Sequence, residues 1–69
     1  MAKPTKAQLR LMRSLAHYSK GNTLFRREWR TFKACERRGW VEWSALTASG
    51  RDVVIITSAG RAALEEATK

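Results

Sequence analysis

The segment Trp29-Arg30-Thr31-Phe32-Lys33-Ala34-Cys35-Glu36-Arg37-Arg38-Gly39-Trp40-Val41 constrains this chain more than any other. At the roughly 100° per residue of an α-helix, Arg26, Arg30, Lys33 and Arg37 fall within roughly 60° of one another, while Phe32 and Cys35 point the opposite way. One side of such a helix has to dock into a core, and the other has to face water or something negative. Gly39 stands where a helix end favours a left-handed residue. The spacing therefore predicts the main helix over residues 29–38.

The chain has 69 residues, enough for a single domain over 1–69. Folding at this size buries only about 60 % of the unfolded chain's surface, so the core is small. The one cysteine, Cys35, excludes a disulfide framework and any multi-cysteine zinc site. That usage fits a reducing compartment. No apolar run approaches the ~18 residues of a membrane span, and no signal-peptide apolar region opens the chain. The expected location is cytoplasmic, with no membrane partner.

Charge adds direction. Fourteen Lys and Arg against six Asp and Glu give +8, with a sequence pI near 10.9. Residues 1–38 hold 11 of the basic and 2 of the acidic side chains, a net +9, whereas residues 39–69 hold 3 and 4, a net −1. Lys and Arg also serve solubility, but solubility does not explain a one-sided distribution. The first half carries the surface suited to a polyanion.

Residues 1–4 read as a flexible arm, with Pro4 unable to continue a helix backwards. Thr5-Lys6-Ala7-Gln8 has the form of a capping box. Leu9, Leu11, Met12, Leu15, Ala16 and Tyr18 follow at helical spacing, and Gly21-Asn22 supplies a stop, so the first helix is expected over about 6–19. Residues 23–28 read as a short helix or turn. Trp40-Val41-Glu42-Trp43 reads as a strand, residues 44–52 as a loop with its tip at Ser49-Gly50, and Val53-Val54-Ile55-Ile56-Thr57 as the clearest strand in the chain. Together they form a β-hairpin. Thr57 or Ser58 caps a last helix through about Ala67, with Ala62, Ala63, Leu64 and Ala67 on its apolar side. Gly60, about 1 kcal/mol worse than Ala in a helix, marks a close packing contact or a fray. Of Trp29, Trp40 and Trp43, two are expected in the core and one partly exposed.

The stretch Arg30-Thr31-Phe32-Lys33-Ala34-Cys35-Glu36-Arg37-Arg38-Gly39-Trp40-Val41-Glu42 resembles the recognition-helix region of MarR-like winged-helix proteins, where Leu or Val usually stands at the positions of Phe32 and Cys35. Ile56-Thr57-Ser58-Ala59-Gly60-Arg61 resembles the Leu-Thr-x-x-Gly-Arg segment that leaves the wing in that group. The resemblance implies an α+β fold: a small winged helix-turn-helix with two to three helices, a two-stranded β-hairpin wing and a C-terminal helix. It is nearest to the compact winged-helix proteins of phages and mobile elements. Too little chain separates the first helix from the basic one for a full-length second helix, so the middle helix is expected to be compressed or replaced. The wing base has Arg51-Asp52 where that group commonly has Asp-x-Arg. Long dimerising helices are absent, which leaves a monomer or a weak homodimer.

On this resemblance the partner is duplex DNA and the role that of a transcriptional regulator. Arg30, Lys33, Ala34 and Arg37 are the groove-facing positions. Arg26, Arg27 and Arg38 flank them on phosphates, and Arg51 reaches from the wing. The competing expectation is a protein-binding winged-helix module that docks onto or inhibits a host protein or nucleoprotein complex, with an exposed Trp beside arginines as its anchor. An enzyme is not expected, and no cofactor or metal is. His17 has no spaced Cys or acid partner, Cys35 lies on the face predicted to be buried, Glu65-Glu66 is a helix surface, and no Gly-rich phosphate loop exists.

Overall fold

In the computed structural model, which describes residues 3–18 and 21–68, the first helix begins with the reciprocal cap that the sequence predicts. The Thr5 hydroxyl accepts from the Gln8 amide at 3.2 Å, and Gln8 Oε1 accepts from the Thr5 amide at 2.9 Å. Helix α1 then runs Lys6–Ala16, with His17 as its C-cap. It is shorter than the expected 6–19; Tyr18 is already outside it and exposed, and residue 19 lies outside the described residues. Of the expected arm, Lys3 and Pro4 precede the cap without regular structure, and residues 1 and 2 also lie outside the described set.

The stretch after α1 differs from a simple helix or turn. Asn22–Thr23 forms a short strand, β1, that pairs antiparallel with Val54 and Val53. Gly21 makes this entry possible. Its φ is +95°, and a Cβ there would lie 2.7 Å from both the Val54 carbonyl oxygen and Ile55 Cγ2, so the turn has room only for glycine. The Leu24 amide adds a bond to the Asp52 carbonyl at 3.0 Å. A 3-10 turn, Arg26–Glu28, follows, and its start is held by the Glu28 carboxylate accepting from the Phe25 amide at 3.2 Å. This turn runs directly into helix α2, Trp29–Arg37. Where a helix-turn-helix would hold its middle helix, this chain has a single 3-10 turn.

Helix α2 ends as Gly39 predicts. With φ +76°, Gly39 donates its amide to the Glu36 carbonyl at 2.9 Å, and the Trp40 amide reaches the Cys35 carbonyl at 3.1 Å, the paired bonds of a Schellman cap. Strands β2 (Val41–Leu46) and β3 (Asp52–Ile56) form the hairpin, and the strand order is β1-β3-β2, all antiparallel. Strand β2 extends further than the expected 40–43, and the loop contracts to residues 47–51. The extension contains a register shift between Trp43 and Ala45. The extra residue returns Leu46 to the face of Trp43, although a spacing of three would place them on opposite faces of a regular strand.

Helix α3, Ser58–Ala67, is seated on the end of α2 by Thr57. The Thr57 hydroxyl accepts from the Gly60 amide and donates to the Gly39 carbonyl, and the Thr57 amide donates to the Trp40 carbonyl at 2.9 Å. Gly60 is buried, and a Cβ there would come within 2.0 Å of the Trp40 carbonyl oxygen. The Thr-x-x-Gly spacing therefore serves a contact between two backbones. Behind these caps lies the core: Leu11, Met12 and Leu15 of α1, Phe32 and Cys35 of α2, Val41 of β2, and Val54 and Ile56 of β3, with Leu64 of α3 packed against it. Burial of each such side chain contributes about 1.5–3 kcal/mol, a large share in a domain this small. None of the three tryptophans is fully buried, in contrast to the expected two. Trp40 is half-buried, and Trp29 and Trp43 are exposed.

Three helices and a three-stranded antiparallel sheet make an α+β fold compatible with a winged helix, in which residues 47–51 form the tip of the wing. Among the described residues no helix is long and apolar enough to cross a membrane.

Candidate nucleic-acid interface

Helix α2 separates its two surfaces as its sequence requires. Phe32 and Cys35 are fully enclosed on the core side, and Arg30, Lys33 and Arg37 are exposed on the other. Ala34 borders the stripe and is half-buried. Arg26 and Arg27 lie just before α2 on the 3-10 turn, both exposed. Arg38 follows the last helical residue, roughly 80° round from Arg30 at 100° per residue, so it flanks the stripe rather than continuing it.

Three of these cations lie over rings. Arg27 Cζ is 5.7 Å from the centroid of Phe25, Lys33 Nζ 5.3 Å from Trp29, and Arg38 Cζ 5.4 Å from Trp40. Lys33 also bonds Glu36 Oε1 at 3.2 Å, a surface pair of small energetic weight. Arg30 and Arg37 thus have no described acid as a partner. They form the unneutralised centre of the stripe.

Arg51 comes to this side from far along the chain. It sits at the end of the wing tip, where its amide donates to Thr47 Oγ1 at 3.0 Å, and its side chain is exposed. Arg51, Gly50 and Asp52 form one wall of a cleft of about 690 Å³ whose other wall is Phe25, Arg26 and Trp29, with Leu24 between. Asp52 Oδ1 accepts from Trp43 Nε1 at 3.0 Å, which fixes the carboxylate to the inner face of the wing. Phe25 (55 % exposed), Trp29 (43 %), Trp43 (48 %) and Leu46 (61 %) are four of the five large apolar side chains left exposed in the described residues.

The site positions read from the sequence therefore fall into three groups. Arg30, Lys33, Ala34 and Arg37 share the face of α2, Arg26 and Arg51 line the cleft, and Arg27 and Arg38 turn toward their rings. The cleft itself escapes a sequence reading. Phe25 falls in the stretch read only as a short helix or turn, and nothing local links it to Arg51 and Asp52.

The ionisable groups argue for packing rather than chemistry at Cys35. Burial pushes its thiol up to about 11, against a smaller lowering by Arg38, so at neutral pH it is protonated. Among the described residues no three His, Cys, Asp or Glu side chains are placed to hold a metal ion. Comparison with protein-family models, with curated proteins and with solved structures finds none that matches this chain.

Proposed function

We propose that this chain is a small DNA-binding protein of the MarR-like winged-helix kind, and that α2 enters the major groove of duplex DNA. The observation that carries this reading is the pair Arg30 and Arg37, exposed and without a described acidic partner, on a helix whose opposite face is sealed by Phe32 and Cys35. Arg and Lys on such a helix contact phosphates and base edges. Arg26, Arg27, Arg38 and Arg51 supply the flanking phosphate contacts. Lys33 joins them by exchanging Glu36 for a phosphate. The role we assign is that of a cytoplasmic transcriptional regulator of the type carried by phages and mobile elements. Nothing in it calls for catalysis or a cofactor.

Five or six phosphate contacts correspond to a log K against log salt slope of about −5. Titration of a random duplex at increasing salt measures it, and absence of binding at ~50 mM salt would sink the reading. An Arg30→Ala, Arg37→Ala double variant is expected to lose most of the affinity and keep its melting temperature. Unchanged affinity would move the interface away from α2.

A second reading, a protein-binding winged-helix module that docks onto a host protein or nucleoprotein complex, is favoured by Trp43 and Leu46 on the wing, which core packing leaves exposed. It requires a partner retained from nuclease-treated host lysate by the parent chain and lost with Trp43→Ala. Recovery of no such partner counts against it.

A further inference from the structure

The cleft between the 3-10 turn and the wing carries two rings, Phe25 and Trp29, that duplex binding by α2 does not use. Its volume of about 690 Å³ lies within the ~300–1,000 Å³ typical of sites that enclose a small organic group. Phe25 and Trp29 give it ring surface, which Arg27 and Lys33 now cover and which a base would take by displacing them, and Arg26 and Arg51 both belong to its lining. Its one acid, Asp52, accepts from Trp43 Nε1 and keeps its charge, and Arg26 and Arg51 together outweigh it, so the lining is net positive. The ring of Trp29 stacks on buried Phe32 at 5.5 Å between centroids, which anchors it to the core while leaving 43 % of the residue exposed.

We propose that this cleft takes one unpaired nucleotide of a nucleic-acid strand, with the base against Phe25 and Trp29 and the adjoining phosphates on Arg26 and Arg51. Aromatic platforms between cationic walls bind single strands because every base has a π-face and every residue of the strand carries a phosphate. A paired base inside a duplex cannot enter, since its faces are already stacked. The cleft opens at the start of α2, so the unpaired nucleotide is the one next to the duplex that α2 holds. The preferred ligand is then a duplex with a single-stranded extension or a gap. This inference rests on the duplex reading above for the position of the paired part. It shares Arg26 and Arg51 with that reading and stands apart from it in Phe25 and Trp29.

The protein is titrated, as the full chain and at one salt concentration, with a blunt duplex, with the same duplex bearing a short thymidine extension at either end, and with oligothymidine alone. The extension is expected to tighten binding by about 5- to 150-fold, the range of one stacked base. Phe25→Ala is expected to remove that gain and leave blunt-duplex affinity unchanged. Trp29→Ala is expected to do the same and is judged at a temperature below its own melting point, because Trp29 also packs on Phe32. Equal affinity for blunt and extended duplexes overturns the proposal and leaves the duplex reading standing. A gain that survives in both variants places the extension elsewhere and also overturns it. Binding of oligothymidine without any binding of blunt duplex supports the cleft and removes the duplex reading. Displacement of the extended duplex by polyglutamate as readily as by oligothymidine assigns the cleft to acidic protein chains and overturns the proposal.

Discussion

At its base the β2–β3 ladder pairs Val41 with Ile56, both buried under the helices, whereas at its far end it pairs Leu46 with Asp52, and Leu46 is the most exposed large apolar side chain in the described residues. The two ends share strands, twist and hydrogen-bond pattern, but their surroundings differ. At the base, α1, α2 and α3 close over the sheet, and Thr57 and Gly60 weld its exit to the end of α2. At the tip no described helix packs over it, yet Trp43, Leu46 and Arg51 lie there and a β-bulge turns Leu46 onto the face of Trp43. The base holds the fold together. The tip keeps apolar and cationic side chains that the fold does not require, and both readings proposed above draw on them.

The largest expected effect breaks the base. Gly60→Ala would bring a methyl group to 2.0 Å from the Trp40 carbonyl oxygen, a contact with backbone that no side-chain rotation relieves. Overpacking of this kind costs about 1–3 kcal/mol and sometimes more, and here the retreat of α3 also loosens the Thr57 bonds, so about 3 kcal/mol is expected. In a domain whose whole stability is of the order of 5 kcal/mol, the urea midpoint should fall by more than half, with about 3 % of the chains already unfolded without denaturant. A variant as stable as the parent would mean that α3 is not seated on Trp40, and the base would lose its distinction.

The base was also the part most legible in the sequence. The Thr5 and Gln8 box, the Gly39 stop, the two faces of α2 and the start of α3 at Thr57 are local signals, each carried by residues a few positions apart, and the structure reproduces each of them. The tip was less legible because its contacts join distant residues. Strand β1 is two residues long and exists only because Gly21 lets the chain lie against Val54, which no local pattern announces. The tryptophans were misjudged for a related reason. Ring size suggests burial, but the core is filled by Phe32, Met12 and Leu15 and has no room for an indole. The basic face of α2 was visible from periodicity alone, whereas the cleft beside it needed residues 25 and 51 to be brought together in space.

A smaller effect sharpens the contrast through pH. In the unfolded chain the Cys35 thiol ionises near 9.0, but in the folded protein burial raises it to about 11. Below pH 9 both states hold the proton and the group has no effect. Between 9 and 11 the unfolded chain releases it first, so stability falls as pH rises, by about 2–3 kcal/mol over the full interval. Melting followed from neutral to alkaline pH should show this decline, and Cys35→Val should flatten it relative to the parent. An identical decline in both proteins would assign the alkaline loss to other groups and remove Cys35 as a marker of the base.

Trp43→Ala gives the smallest expected change in stability and bears most directly on the tip. Trp43 is half exposed and has one directed contact, the Nε1 bond to Asp52 Oδ1 at 3.0 Å. Loss of a solvent-accessible hydrogen bond and part of a ring surface amounts to about 1 kcal/mol or less. Thermal melting should therefore move by only a few degrees, while any binding that uses the inner face of the wing should weaken by much more. A loss as large as that of Gly60→Ala would make the far end of the ladder part of the folding unit. The exposure of Trp43 and Leu46 would then reflect the limits of a small core, and the tip would no longer need a partner to explain it.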